Sequence, residues 1–598
     1  MNSLPAPTAD DRAAWSRVDG AGLLARAEAD LGAPWPQPLA SQAARVHRDG
    51  DRAVWEDPAF ARQHRLSRAV IAAALTLEER WIDEVVDGVQ LLCEQSSWCW
   101  PAHDDAFERR GEVLATVTAP FLDLGAGEVA GQLAWTDHVL GAQLDARAPG
   151  IRSRIRHETE ARVLRPFEER RDWHWLGLDG DVHNWNPWIH SNVLAAALQL
   201  REDPADLVDL VVEGLRLYID ALPADGAIDE GYSYWWNGAC RALEALDVLE
   251  HATGLTPFDD PSLRETVAFP HRCYLGGSWY ANLADGQARP PIHQPWHALH
   301  RAALRWGDAD AAAHAAAHRD LAPSEAAGLG RLVRELTDPE WNAAPPAASP
   351  LPRDVWLPST EVLLARQLAG AAAGLTLVVK GGHNAEHHNH NDVGSFIVAS
   401  DGVPVVADAG RPTYTAATFG PDRYSIWTMQ SSWHSTPAIA GVDQSAGREF
   451  AASGVEASTA DDVSSLSLEI GGAYRIDGLS WRRTAALDRR AGVVRVADAW
   501  SGPAAGSRLN LVIAGEVSVL ADGARVVPLD GATPVVIRWP AGIRPSLTVR
   551  MLDDPMLSEV WGERLTRLEL DVDTREEAWI TVERDDVTAG TSDSEDER

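Results

Sequence analysis

The amino-acid sequence predicts a multidomain α + β protein, a helical first half joined to an antiparallel β second half. Apolar residues recur at three- and four-residue spacing up to about residue 340, and beyond residue 354 the period changes to two. The stretch between is rich in proline. At 598 residues the chain also exceeds what one hydrophobic core supports, so at least two domains are required.

Residues 1–341 form the expected helical domain. SRAVIAAALTLEERWIDEVVDGVQLL, SNVLAAALQL, DLVDLVVEGLRLYIDAL and GACRALEALDVLEHATG carry apolar stripes at helical spacing, and Pro, Gly and Asp punctuate them at intervals suited to helix hairpins. Many antiparallel helix pairs imply a bundle, a solenoid or a toroid. The linker is NAAPPAASPLPRD, residues 342–354, poor in large apolar side chains and suited to an extended connection. Residues 355–584 alternate as strands do in LTLVVKGG, GSFIVASDGVPVVADAG, VVRVADAW and LNLVIAGEVSVLADGARVVPL, with Asp-Gly pairs at 401, 522 and 530 as hairpin signals. The remainder, 585–598, is small, polar and acidic, the composition of a disordered tail.

Composition excludes several function classes. With 88 acidic against 53 basic residues and a formal charge of −35, the chain has the wrong sign to grip nucleic acid or an anionic membrane. The start, MNSLPAPTADDRAAW, lacks the basic-then-apolar pattern of a secretory signal, and no run of about 18 apolar residues occurs. A cytoplasmic protein with no membrane or nucleic-acid partner is expected, and a homo-oligomer is left open. Cys93, Cys99, Cys240 and Cys273 are too few for a disulfide framework at this length and lack zinc-knuckle spacing, so buried thiols are expected.

The densest cluster of chemistry-bearing residues is GGHNAEHHNHNDVGSFIV, which crowds His383, His387, His388, His390 and Asp392 ahead of an apolar strand. An extended segment puts His388, His390 and Asp392 on one face and His387, Asn389 and Asn391 on the other. A solvated polar loop is the plain alternative. Asp408, ending the next apolar strand, and His434, in QSSWHSTPAIAG, are candidates to join that face, although Asp408 alone equally suits a turn cap. Neutral imidazole with a carboxylate suits a divalent metal such as zinc, and hairpin pairing could bring His390 and Asp408 together with His434 as a third ligand.

The helical half has its own unusual passages. DVHNWNPWIHSNVLAAAL places His183, Asn184, Trp185, Asn186, Trp188 and His190 at a helix entrance, where side-chain amides either cap the helix or face a ligand. IDEGYSYWWNGACRALEAL puts Glu230, Tyr232, Tyr234, Trp235 and Trp236 at the start of another. Tryptophan is used 25 times against 9 phenylalanines, including Trp98 and Trp100 beside His103 in SWCWPAHD. Flat amphipathic rings suit stacking on sugars as well as plain core packing.

Taken in order, NWNPW (184–188), EGYSYW (230–235), NLADG (282–286), HNHNDVGSF (388–396), VVADAG (405–410) and SSWHSTP (431–437) resemble the heparinase II/III-type polysaccharide lyases, oligoalginate lyases included. The resemblance implies an incomplete (α/α) toroid followed by an antiparallel β-sandwich, with the active-site cleft between them. It also implies β-elimination at a uronic acid: the C5 proton leaves, the bond to O4 breaks, and a 4,5-unsaturated sugar remains. Such a site must quench the substrate carboxylate, supply a base for C5 and protonate O4. By resemblance, Tyr234 is the catalytic tyrosine with Tyr232 as the fallback, His388 the catalytic histidine, and Asn184 the carboxylate-neutralising residue. Asn186, His190, Trp100, His103, Tyr232 and Arg423 are implied in substrate binding, with Arg241 a further arginine for an anionic sugar. His390, Asp408 and His434 are implied as ligands of zinc, or another divalent metal, in a structural role.

This chain departs from the family pattern in having Tyr232 after Gly231 where the family has proline, and Asn237 where it has tyrosine. Its acidity and lack of a signal favour an exo-acting enzyme on short uronic-acid oligosaccharides. Two other readings are open at this level. An (α/α)-toroid glycoside hydrolase would use paired carboxylates such as Asp229 and Glu230 with Asp104 or Asp285; a non-catalytic sugar-binding relative would keep the fold without the chemistry.

Overall fold

The computed structural model describes residues 4–255 and 260–585. The expectation of a disordered tail falls almost wholly on residues 586–598, outside the described residues. Helices occupy the first part up to Pro339–Ala343, an extended segment follows, and the strands of the β half begin at Asp354–Leu357.

The helices form two populations. Glu79–Glu94 and Ala205–Ala221 are one-sided: the first buries Trp81, Ile82, Val85, Val89 and Leu92 and turns its acidic residues outward. Leu124–Arg147, Trp185–Leu200 and Ala239–Thr253 are buried on most of their surface and pack on one another. They are the inner helices of a toroid, and the one-sided helices form its outer ring. One short antiparallel hairpin, Tyr274–Gly276 with Trp279–Tyr280, interrupts the helical half where the sequence suggested helix alone.

The β half is a sandwich. An eight-stranded sheet runs, in spatial order, 453–459, 463–469, 480–488, 493–501, 577–584, 535–538, 523–527 and 516–520. Its long strands alternate as a half-solvated sheet requires: Val493–Ser501 buries every second residue, and Trp481 pairs across strands with Trp500, ring centroids 4.2 Å apart. The facing sheet has nine strands, with 545–551, 564–571, 508–513, 403–406, 396–400, 375–380, 362–366 and 354–357 adjacent in that order. Its central strands Val362–Arg366, Leu375–Lys380 and Phe396–Ser400 are buried at every position. One face meets the outer sheet through Leu363, Leu377 and Val398; the other meets the toroid through Leu364, Val378 and Ile397.

Of the Asp-Gly signals, Asp401-Gly402 makes the tight turn between 396–400 and 403–406, both residues at positive φ. Asp522 turns the hairpin of 516–520 and 523–527. Asp530-Gly531 does not form a tight hairpin. It sits in a short 3-10 turn, where Asp530 accepts a hydrogen bond from Trp279 Nε1 (3.0 Å) and an ion pair from Arg289, tying the sandwich to the toroid. All four cysteines are free and buried. Among the described residues no helix is long and apolar enough to cross a membrane.

Candidate active site between the toroid and the sandwich

Three loops converge where the inner sheet meets the toroid. Tyr234 lies on the short helix Tyr232–Trp235, entered through Gly231 at φ +89°. A Cβ at Gly231 would stand 2.4 Å from the carbonyl oxygen of Leu283, so the absence of a side chain there lets the tyrosine turn pack on the loop carrying Asp285. His388 lies between the strands His383–Asn384 and Phe396–Ser400. Ala284 and His388 both hold left-handed φ values, +53° and +55°, which non-glycine residues seldom adopt.

The segment 385–392 is therefore a turn and not a strand, and the expectation of strict face alternation is corrected. His388 and His390 do reach one partner, Asp285. Asp392 turns away to Lys380, whose Nζ donates to it at 2.6 Å and to Glu386 at 2.7 Å, all three groups being buried. Lys380, the only lysine, is thus spent on two buried carboxylates.

Asp285 is the hub. Its Oδ2 accepts from His388 Nδ1 (2.8 Å) and Tyr414 Oη (3.0 Å); its Oδ1 accepts from His390 Nε2 (3.0 Å) and Arg423 Nη2 (2.9 Å). Although burial works against the charged form, the hydrogen bonds from His388 and His390 hold its carboxyl well below the usual range. Tyr414 spends its proton on Asp285, so Tyr234 donates to Tyr414 in the contact between their hydroxyls. The Tyr234 and His388 rings stack at 4.0 Å and 25°. Desolvation, then the charge of Asp285, raises the Tyr234 phenol, which is protonated at neutral pH. Because Asp285 takes the proton on Nδ1 of His388, Nε2 carries the lone pair.

Asn184 is 3% exposed, its Oδ1 has no hydrogen-bond partner, and its backbone N–H donates to Glu230 Oε1 at 3.4 Å. Burial raises the Glu230 carboxyl to about 7. Arg411 lies with its guanidinium 4.0 Å from the Tyr414 ring centroid. Along the toroid side, Trp100, His103 and Trp185 form a run of aromatic contacts, with centroids 5.1 and 4.5 Å apart. His103 is held by Asp123 at Nδ1 (2.8 Å) and by Arg52 at Nε2 (3.2 Å). His387 bridges the halves, with Nδ1 on Asp229 (3.0 Å) and Nε2 on Asp181 (2.8 Å); bonding to Asp229 raises it to about 10.

Four expected site residues lie elsewhere. Tyr232 is 1% exposed and stacks on Tyr280 at 4.0 Å in the toroid core, which removes it as the fallback for Tyr234 and from substrate binding. Asn186 is fully buried and donates to the carbonyl of Leu176 (3.1 Å). His190, also fully buried, is bonded to the carbonyl of Asn186 (2.6 Å), edge-on to Phe167 and Trp175, and lowered by burial to about 4. Arg423 is buried and gives an N–H from each of its three nitrogens to protein acceptors, Asp285 and the carbonyls of Asn389 and Thr418, the last two at 2.9 Å, so it braces the hub and does not face a sugar.

His390, Asp408 and His434 each bring one potential ligand atom within 4.8 Å of the others, all buried. Their tautomers are set from outside. His390 gives its Nε2 proton to Asp285, leaving Nδ1 without a partner. His434 is bonded through Nε2 to the carbonyl of Thr428 (2.9 Å), so Nδ1, 2.9 Å from Asp408 Oδ2, offers a lone pair to a carboxylate. With Nδ1 of His390 unpartnered and a carboxylate oxygen beside Nδ1 of His434, the donor set fits a divalent metal.

Sequence reasoning missed Tyr414 and Arg411, which stand in RPTY without a motif, and assigned Asp285 to the rival hydrolase pair. With four donors on its two oxygens, Asp285 cannot serve as a general acid or nucleophile. The signal that could have found it is NLADG itself, one of the motifs whose order carries the family resemblance and whose single ionisable residue is Asp285.

Residues 364–585 match the family described as heparinase II/III-like, C-terminal. No curated protein matches the chain. Among solved structures, heparinase III superposes with a TM-score of 0.64 at 12% identity, covering 89% of this chain and 78% of that one. A mutant of heparan sulfate lyase HepC from Pedobacter heparinus superposes with a TM-score of 0.59 at 13% identity, covering 94% and 87%. A chondroitin AC lyase mutant from Streptomyces coelicolor superposes at 0.50 and 13% identity, covering 97% and 83%. At these identities the likeness is one of fold, the toroid and sandwich together.

Proposed function

We propose, for a chain that belongs to the heparinase II/III-like family through residues 364–585, that it is a polysaccharide lyase cleaving uronic-acid-containing glycans by β-elimination. The observation that carries the reading is the contact of Tyr234, from the toroid, with His388, from the sandwich, both tied to Asp285.

The protonation states assign the roles. The C5 proton passes to Nε2 of His388, whose Nδ1–H is held by Asp285. The pair of electrons forms the C4–C5 double bond as the C4–O4 bond breaks, and Tyr234 gives its phenolic proton to O4. Before O4 arrives, Tyr414 accepts the hydrogen bond of that same phenolic proton and holds the phenol in place. The amide of Asn184 quenches the substrate carboxylate, helped by the guanidinium of Arg411 and by Glu230, which is half protonated near neutrality. Trp100, His103 and Trp185 offer a stacking wall for neighbouring sugars. No water is consumed.

His390, Asp408 and His434 would hold a divalent cation, zinc by donor type, and its charge would brace His390 and through it Asp285. The chain acts in the cytoplasm on short oligosaccharides from their ends, a reading supported by its charge of −35, which disfavours long polyanions. The test is ultraviolet absorbance of the conjugated product across a panel of oligouronides, with Tyr234→Phe as control. Absorbance lost in the variant supports elimination; new reducing ends without absorbance mean hydrolysis and sink it.

A further inference from the structure

Away from the cleft, the strands that end the two sheets are finished differently. On the inner sheet, Asp354–Leu357 buries Val355 and Leu357. On the outer sheet, Ser453–Thr459 is a polar run, and Glu516–Leu520 shows Val519 and Leu520 on opposite faces. The fourth edge, Pro545–Met551, is open along its length and carries an apolar row: Leu547, Val549 and Met551 are 40, 54 and 62% exposed. These three share the face of Leu568 and Leu570 on the neighbouring strand, which are buried between the sheets. The sandwich core therefore runs on to this edge and ends there uncovered.

The main chain of the edge is open in a regular pattern. Leu552 donates to the carbonyl of Glu563 (2.8 Å), and the carbonyl of Arg544 accepts from Asp571 (3.2 Å), so the even-numbered residues turn their N–H and C=O toward the strand 564–571. Leu547, Val549 and Met551 turn theirs outward, and Pro545, on the same side, has no N–H to leave open. Among the described residues no strand pairs with that side. The one charged residue of the strand, Arg550, lies over the Trp427 ring on the other face, 4.3 Å from its centroid.

We infer that Pro545–Met551 is the dimerisation edge of this protein, pairing antiparallel with the same strand of a second copy. The strand is its own complement about its midpoint, Thr548. A two-fold axis there sets Leu547 against Val549 of the second copy, which exchange both outward hydrogen bonds, and lets Met551 donate to the carbonyl of Pro545. The same register gathers the apolar rows of both copies on one face; on the other it opposes Thr548 to Thr548 and Ser546 to Arg550, with no like charges facing. The ends are complementary in charge. Arg544, exposed and without an ion pair among the described residues, comes beside Asp553 of the second copy, which is also exposed and unpaired. The charge of −35 on each copy opposes association, but at physiological salt charges more than about 8 Å apart are largely screened. The inference goes beyond the lyase reading and does not depend on it.

The experiment measures mass in solution. At micromolar concentration the wild type should sediment at twice the 64.8 kDa of one chain. Val549→Pro removes an outward N–H without costing a bond to 564–571, and Val549→Lys puts a charge into the apolar row; each should sediment as a single chain. Circular dichroism and Tm report whether the fold is kept, and Val549→Lys decides if the proline variant does not fold. Thr548→Cys tests the register. Opposed residues of a pair without direct hydrogen bonds have Cα atoms about 4.5 Å apart, within disulfide reach, whereas the two copies of residue 546 stand about 13 Å apart. The native cysteines are all buried. Under mild oxidation Thr548→Cys should therefore run at twice the chain mass on a non-reducing gel and Ser546→Cys should remain a single chain. A wild type that sediments as a single chain, a dimer that survives Val549→Lys in folded protein, or equal cross-linking of the two cysteine variants overturns the inference, the edge then serving a different partner or none.

Discussion

Two buried carboxylates, Asp285 and Asp408, each sit at the centre of a histidine cluster, and they do opposite things. Asp285 is supplied with protons: His388, Tyr414, His390 and Arg423 all donate to it, from the sandwich to a loop of the toroid. Asp408 is supplied with one backbone N–H, from Gly410 at 2.8 Å, and otherwise faces the imidazoles of His434 and His390. His390 belongs to both, giving its proton to the first and its lone pair to the second. The same residue types thus make an orienting hub where protons are in surplus and a cation seat where they are lacking.

The largest effect should come from breaking the hub. Asp285→Ala leaves Arg423 and two imidazoles buried without their counter-charge, costing about 3–5 kcal/mol of stability. It also frees the His388 tautomer, so kcat should fall by about three orders of magnitude or more, read by denaturant unfolding and product absorbance. An unchanged unfolding midpoint would show that the hub does not join the two halves.

Tyr234→Phe comes next and separates chemistry from structure. It removes the acid but keeps the ring stacked on His388, so kcat/KM should fall about 10²- to 10⁴-fold with Tm nearly unchanged. Tyr414→Phe should cost less, since Tyr414 positions the phenol; a loss as large as that of Tyr234→Phe would move the proton transfer to Tyr414.

At the other carboxylate, Asp408→Asn should weaken metal retention about 10- to 100-fold or more and lower Tm, measured by metal analysis and scanning calorimetry. Full occupancy in the variant would contradict a cation seat.

The smallest effect concerns His387, which joins the halves outside both clusters. Its folded-state value, about 10, lies above the ordinary 6.5, so its contribution to stability is complete below pH 6.5 and lost as pH rises through about 10. His387→Gln should flatten that part of the Tm profile. The ring is 36% exposed, so added salt should shrink the difference, and a profile unmoved by the variant would remove His387 as a link.

Much of this was legible without coordinates. The change of period from three and four to two separated helices from strands, because helix and sheet place neighbours on one face at those spacings. Tyr234, His388 and the trio His390, Asp408 and His434 were named from motif order, and the structure brings each set together. Where reasoning rested on local pattern, it misplaced residues: Tyr232 and Tyr234 look alike two positions apart, yet one faces the toroid core and the other the sandwich.

By itself, then, the sequence determined the two halves, their order and the chemical inventory of the cleft. The tertiary structure decided which groups meet: Asp285 lies 103 residues from His388 and 129 from Tyr414, separations that no periodicity can read. It also decided that Arg423 is spent inside and Arg411 is at the site, and that the trio has lone pairs to spare. These outcomes depend on loop conformations such as the left-handed turn at His388, set by packing across the interface and not by local preference.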